Sequence, residues 1–400
     1  MRICIVYQGE FPRAERIEKF AKTLATAGHE VFLLCNNYGA FGASEERFGD
    51  VHTVRVIPTW SSRRVNKILK FPIFLNPLWL FWLIRVVRRF HIDVLQVIDV
   101  PLSIGVLAVG RMFKIPVVFD MWENYPEALR GWGKSEWTTR LFKNHHVARI
   151  VERWVTPRVD HVFTVVEEQR NRLISLGVRP DRVSVVTNAI DPDLFASLPL
   201  RDDLPLDSAP DAYRLLFVGA ITVERGLDDI IRALPLVRPH IPGVRLYIGG
   251  AGNDETRLRR IAEHENVQDI VHFLGWIAFD QIRSYIQKAD LCLVPHVYND
   301  FINTTIPNKL FQYMALAKPV LVSHAKPLAR VVRESSCGFV FQSGDPLDAA
   351  EKIREAYGLR CNAEIGQRGR ECVERQYTWE IVSRELVRVY AEINHTRSSP

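Results

Sequence analysis

Residues Pro295–Ser323, PHVYNDFINTTIPNKLFQYMALAKPVLVS, combine types that suit the binding of a diphosphate. Leu291–Val294 is a short apolar run of strand type, and a polar loop from His296 to Thr305 leaves its end. Pro307 stands where a first helical residue belongs, with Thr304 or Thr305 as the capping residue, so a helix is expected over Pro307–Ala315. A helix start that follows a strand's carboxyl end offers unpaired N–H groups and a positive dipole end. Lys309 adds a point charge beside it. The same residues also fit an ordinary strand–loop–helix unit of an α/β sheet.

A second cation stands in Thr222-Val-Glu-Arg225-Gly226, between the strand Leu215–Val218 with Gly219 and the helix Leu227–Leu234. Arg225 holds its charge at any ordinary pH and can grip two phosphate oxygens at once. Gly250-Ala-Gly252 follows the strand Leu246–Gly249; without a third glycine it reads as a tight turn, not a nicotinamide fingerprint. Trp276, after the strand Val271–Leu274, either stacks near a base or is a half-buried loop tryptophan.

In the first half, Asp120-Met-Trp-Glu-Asn-Tyr-Pro-Glu127 follows the strand Val117–Phe119. A polar and aromatic run just past a strand's carboxyl end is where open α/β sheets bind ligands. Asp120, Trp122 and Glu123 are its candidates. Gly9, after the strand Ile3–Tyr7, lets the backbone approach a ligand. Arg13 and Arg16 either face a cleft or begin a solvated helix.

These residues need a scaffold, and the chain supplies one. Strand, loop, helix and strand alternate from Ile3 to Val186 and again from Leu215 to Phe341, as in two α/β domains. Residues 1–195 form the first, 196–213 a linker rich in Pro and Asp, 214–376 the second, and 377–400 a final helix with its tail. Four hundred residues suffice for two cores. The six cysteines are scattered, with no Cys-x-x-Cys pair or metal spacing, so no zinc site is expected and a reducing cytoplasm fits. No run is long enough for a membrane span.

Residues 61–90 hold seven basic residues (Arg63, Arg64, Lys67, Lys70, Arg85, Arg88, Arg89) and no acidic one, against a net charge of +6 for the whole chain. Leu78–Ile84 is apolar on every side, which is either core or lipid-facing. The basic flanks favour an anionic membrane surface.

The segment Pro307-x-Lys-Leu-Phe-Gln-Tyr-Met-Ala-x-x-Lys-Pro-Val resembles the signature of the group-one (family four) retaining glycosyltransferases. The resemblance runs on through Gly219…Arg225-Gly226, Gly250…Gly252, Phe273-Leu-Gly275 and Ala289-Asp290…Pro295. It implies an α/β fold of two Rossmann-like domains facing a cleft (GT-B), the C-terminal helix crossing back to the first. It implies transfer of a hexose from a nucleotide sugar, a UDP-sugar foremost, to a glycan or lipid-linked acceptor in cell-surface polysaccharide or glycoconjugate synthesis. Arg225, Lys309 and Glu123 then serve catalysis, with Gly9, Gly219, Gly250, Trp276, Asn303, Thr304, Thr305, Pro307, Asn308 and Gln312 around the nucleotide sugar. Arg16, Asp120 and Trp122 lie on the acceptor side.

Thr304 and Gln312 occupy the places of the family's two glutamates, so Gln312 is expected at the ribose, while Asp300 or Asn303 compensates near the sugar. Ala220 replaces a family cation, and Trp122 a family histidine. No Asp-x-Asp is suitably placed, so metal-independent chemistry is expected, with no cofactor and no nucleic-acid partner. The expected location is the cytoplasm, peripheral to the inner face of the plasma membrane. A glycosyltransferase-like sugar-nucleotide-binding protein without activity, a sugar-nucleotide epimerase and an NAD-dependent oxidoreductase are the competing classes.

Overall fold

The structure is a computed structural model that describes residues 1–11, 15–37, 44–56, 74–131, 144–207 and 209–398. Arg13, and Arg63, Arg64, Lys67 and Lys70 of the basic segment, lie outside the described residues.

The chain divides into two compact units, Met1–Thr187 with Val382–Pro400, and Asn188–Ile381. The first carries the strands β1 (Arg2–Tyr7), β2 (Glu30–Asn36), β3 (Glu45–Phe48), β4 (Val51–Val56), β5 (Val94–Ile98), β6 (Val117–Met121), β7 (His161–Thr164) and β8 (Val183–Val185). Its helices are α1 (Glu15–Thr26), α2 (Pro77–Phe90), α3 (Ser103–Phe113), α4 (Tyr125–Gly131), α5 (His145–Val155) and α6 (Glu167–Ser175). The sheet order is β3-β4-β2-β1-β5-β6-β7-β8, parallel except for the edge pair β3–β4. Apolar strands such as Ile3–Val6 are fully buried, as expected for a parallel sheet covered on both faces.

The second unit begins with α7 (Pro192–Ser197) and builds β9 (Tyr213–Val218), α8 (Leu227–Val237), β10 (Val244–Gly249), α9 (Glu255–His264), β11 (Val271–Gly275), α10 (Phe279–Lys288) and β12 (Leu291–Val294). It continues through α11 (Asn308–Ala315), β13 (Val320–Ser323), α12 (Lys326–Ser335), β14 (Gly338–Phe341), α13 (Pro346–Gly358) and α14 (Glu364–Gln376). Its sheet runs β11-β10-β9-β12-β13-β14, with parallel pairing throughout. The last helix, α15 (Trp379–Ser398), falls mostly in the first unit, where buried Tyr390 donates its hydroxyl to Gln96 Oε1 at 2.6 Å.

One sequence expectation changes. Residues 196–213 are not a plain linker. Arg283 donates to the Leu198 carbonyl at 2.6 Å and Arg201 N–H to Ser284 Oγ at 2.9 Å, which pins this stretch along α10. The apolar run Leu78–Ile84 lies in α2, which enters the core by one face only. Leu78, Trp79, Leu83, Val86 and Val87 enter the core, while Phe81, Arg85, Arg88 and Arg89 are exposed. Asn76 caps it by accepting from Leu78 N–H at 3.0 Å.

Candidate functional site

β9 and β12 are neighbours at the middle of the second sheet, and the strand order reverses between them. Loops leaving such a switch point part in opposite directions and open a crevice at the strands' carboxyl ends. The loop after β9 carries Gly219 to Arg225, and the loop after β12 carries His296 to Thr305.

Close backbone approach shapes this crevice. Gly219 N–H donates to the Gly249 carbonyl at 2.8 Å and Ile221 N–H to the Ala251 carbonyl at 3.0 Å. At Gly250, with φ of 135°, a Cβ would strike the Gly219 carbonyl. Gly226, with φ of 63°, lies against the Pro295 carbonyl, where a Cβ would also collide. Val297 N–H then donates to the Glu224 carbonyl at 3.0 Å, so the turn Val223–Arg225 is clamped onto the start of the β12 loop.

Lys309 sits in the first turn of α11. One turn on, buried Tyr313 accepts from Val218 N–H at 3.0 Å, which fixes the helix to β9. Lys309 Nζ lies 3.7 Å from the centre of the Phe217 ring. That nitrogen is buried and has no hydrogen-bond partner. Burial, and then the neighbouring Arg225 charge, hold its pKa well below the usual lysine range.

His296 is 1% exposed, and neither ring nitrogen makes a hydrogen bond of ordinary geometry. Burial first, then Arg225 and Lys309, push it well below the usual histidine range, and the nearby Val294 carbonyl opposes this only in part. An arginine, a lysine and a neutral imidazole thus converge at the switch point. An incoming phosphate would raise the Lys309 pKa again, because an anion favours the protonated amine. His296 was not among the sequence candidates; its signal was its place directly after the strand end, beside Pro295.

Other candidates are differently placed. Pro307, not Thr304 or Thr305, occupies the cap position of α11, and no side chain caps it. Thr304 instead donates its hydroxyl back to the Asp300 and Phe301 carbonyls, at 3.0 and 2.9 Å, because it ends the tight turn Ile302–Thr304. Asn303 is buried, and its Oδ1 accepts from Lys326 N–H at 2.9 Å at the start of α12. Gln312 is half-buried one turn beyond Asn308. Trp276 is 81% exposed after β11.

The first unit brings together the three acceptor-side candidates. Asp120, at the end of β6, pairs with Arg16 Nη2 at 2.9 Å and accepts from Trp122 Nε1 at 2.8 Å. Arg16 lies over Phe20, and Trp122 packs against Tyr7. Asp99, which the sequence reasoning missed, leaves β5 with φ of 54° and accepts from Trp122 N–H at 2.9 Å. Burial, and then Glu123, raise its pKa well above the usual carboxyl range. At Gly9 a Cβ would strike the Tyr7 ring, so the missing side chain makes room for Tyr7.

Residues 14–194 match the family described as Glycosyltransferase Family 4, and residues 212–358 match Glycosyl transferases group 1. The chain belongs to this glycosyltransferase family, and its fold is that of the GT-B enzymes. It is 26% identical over 239 residues to an uncharacterized glycosyltransferase of Methanocaldococcus jannaschii, covering 57% of this chain and 59% of that one. It is 26% identical over 222 residues to the amylovoran biosynthesis glycosyltransferase AmsK of Erwinia amylovora, covering 55% of this chain and 53% of the relative. The chain thus spans little more than half the length of these two relatives. The structure of Anabaena HepE in complex with UDP-glucose superposes with a TM-score of 0.69 at 14% identity, over 98% of this chain and 100% of that one.

Proposed function

We propose that this protein transfers a hexose from a UDP-sugar to a glycan or lipid-linked acceptor, with retention of configuration and without a metal ion, in polysaccharide or glycoconjugate synthesis. The observation that carries the reading is Lys309 Nζ, buried without a hydrogen-bond partner over Phe217 and in the field of Arg225. Such a group is stabilised by an anion that enters the crevice, and a nucleoside diphosphate supplies one of the right charge. The HepE complex with UDP-glucose and the amylovoran role of AmsK support the choice of donor and of product class.

Arg225 and Lys309 meet the charge that grows on the diphosphate as the glycosidic bond breaks, which lowers the barrier more than it tightens the ground state. Gly219, Gly250, Thr305, Asn308 and Gln312 surround the nucleotide sugar, with Gln312 at the ribose. Asn303 and Thr304 shape the loop through the bonds described above. Arg16, Asp120 and Trp122 hold the acceptor, and Glu123 serves its hydroxyl. Among the described residues no helix is long and apolar enough to cross a membrane. The working location is the cytoplasm, against the inner face of the plasma membrane.

The test is product formation by the purified protein with a panel of nucleotide sugars and a lipid-linked glycan acceptor, in EDTA and in Mg²⁺. Transfer of one UDP-hexose in EDTA, with the anomeric configuration kept, is expected. Hydrolysis or epimerisation of the donor without transfer, or a requirement for Mg²⁺ or Mn²⁺, would contradict it.

A further inference from the structure

The helices α2, α3 and α5 of the first unit share an outer side with an unusual make-up. Together they hold six arginines and one acidic residue, Glu152. Glu152 is fully buried and paired with Arg172, so it adds no negative charge to that side. Large apolar side chains stand out from the same helices: Phe81 is 54% exposed, Met112 65% and Ile150 68%.

The helix α5 is apolar on two faces. Ala148, Val151 and Val155 enter the core, while Val147, Ile150 and Trp154 form a second, exposed stripe at i, i+3 and i+7.

Arginines and aromatic rings knit the three helices into one surface. Arg88 of α2 lies 5.6 Å from the ring centre of Phe113 on α3. Arg111 of α3 lies 5.9 Å from the Trp154 ring on α5, and Arg158 covers the same ring at 4.9 Å. Arg85 lies over Trp82 on α2 itself. Among the described residues, Arg85, Arg88, Arg111 and Arg158 have rings as partners and no carboxylate in ion-pair contact. Guanidinium groups that rest on aromatic faces keep their charge available to an outside anion.

We infer that this three-helix side, Phe81, Arg85, Arg88, Met112, Ile150 and Trp154, is a docking surface for an anionic lipid bilayer. Arg89 and Arg149 are neutralised by Glu45 and Glu127. The charge that complements phosphodiester headgroups is therefore that of Arg85, Arg88, Arg111 and Arg158, and single apolar tips spaced between these arginines suit shallow insertion below them. Tryptophan at that level fits the headgroup boundary, where its ring is amphipathic. The surface extends the peripheral location proposed above from α2 to α3 and α5, and it does not depend on the sugar chemistry.

The test is flotation of the full chain with vesicles of phosphatidylcholine, with and without phosphatidylglycerol, across a salt series. Three proteins are compared: wild type, Arg85→Glu/Arg88→Glu, and Ile150→Ser/Trp154→Ser. Thermal melting and UDP binding are measured on the same samples, so that loss of fold or of the nucleotide site is seen separately. Wild type should float only with the anionic vesicles and be released by salt. The Arg85→Glu/Arg88→Glu protein, folded and still binding UDP, should lose at least tenfold in partitioning, since one surface arginine contributes about fivefold. The Ile150→Ser/Trp154→Ser protein should lose about tenfold through its missing apolar tips. Equal recovery on neutral and anionic vesicles would overturn the inference. So would an unchanged Ile150→Ser/Trp154→Ser protein, which would confine binding to α2, or self-association abolished by that pair, which would assign the face to a second copy of the chain.

Discussion

Lys309 Nζ lies 3.7 Å from the centre of the Phe217 ring, which brings the first turn of α11 over the strand β9. The ring supports the ammonium in a buried position but cannot replace water, and burial holds the pKa well down. Binding of UDP should therefore draw a proton onto Lys309. Calorimetry in buffers of different ionisation enthalpy should show proton uptake that grows toward alkaline pH and vanishes in Lys309→Met. Absence of uptake across the neutral-to-alkaline range would place the diphosphate elsewhere.

Gly226 should not tolerate a side chain. Its φ of 63° alone costs an alanine about 1–2 kcal/mol, and the Pro295 carbonyl blocks the Cβ. Gly226→Ala should lower the melting temperature and shift Arg225, with a loss of UDP affinity beyond the loss of stability. A protein with unaltered melting and affinity would show that the two loops do not meet as described.

Asp120 holds Arg16 and Trp122 at once, with side-chain exposures of 1% for the carboxylate and 9% for Arg16. Removing one partner of a buried pair leaves the other charge stranded, at about 3–5 kcal/mol. Asp120→Ala should lose stability of that order in urea unfolding, and Arg16→Met/Asp120→Leu should recover much of it. A cost below about 1 kcal/mol for Asp120→Ala would mean that the pair is solvated.

How much of this was legible beforehand can be judged residue by residue. Arg225, Lys309 and the strand–loop–helix around them stood out because charge and strand-end position are local features of a sequence. The switch point between β9 and β12 did not, since it depends on which strands pair, and pairing is set by side chains far apart in the chain. His296 stood directly after a strand end, but its nearness to the charges of Arg225 and Lys309 depends on that pairing. Thr304 was expected to cap α11, but a threonine hydroxyl can equally bond back to carbonyls three and four residues earlier, and the turn Ile302–Thr304 favours that. Asp99 follows an ordinary apolar strand and gave no local sign of its place beside Trp122 and Glu123.

His161 gives a prediction for acid. It is buried and accepts or donates at Ser184 Oγ over 3.0 Å, and burial, partly offset by Glu385, lowers its pKa to about 4. A histidine held neutral in the fold stabilises it fully above pH 6.5, and that contribution falls away as pH drops toward 4. The loss should be on the order of 3 kcal/mol. His161→Gln should flatten the fall in unfolding free energy over that window. An identical pH profile for wild type and His161→Gln would show that other groups set the acid limit.

The most direct test of the donor-site account is the steady-state turnover of Arg225→Ala with the UDP-sugar and acceptor found in the panel. If Arg225 meets the charge of the leaving diphosphate, its loss should lower kcat on the order of a hundredfold. Lys309→Ala should lose less, and Gln312→Ala should mainly raise KM, since a ribose contact is the same in ground and transition states. A folded Arg225→Ala protein with near-normal turnover would contradict the placement of the leaving diphosphate at the switch point.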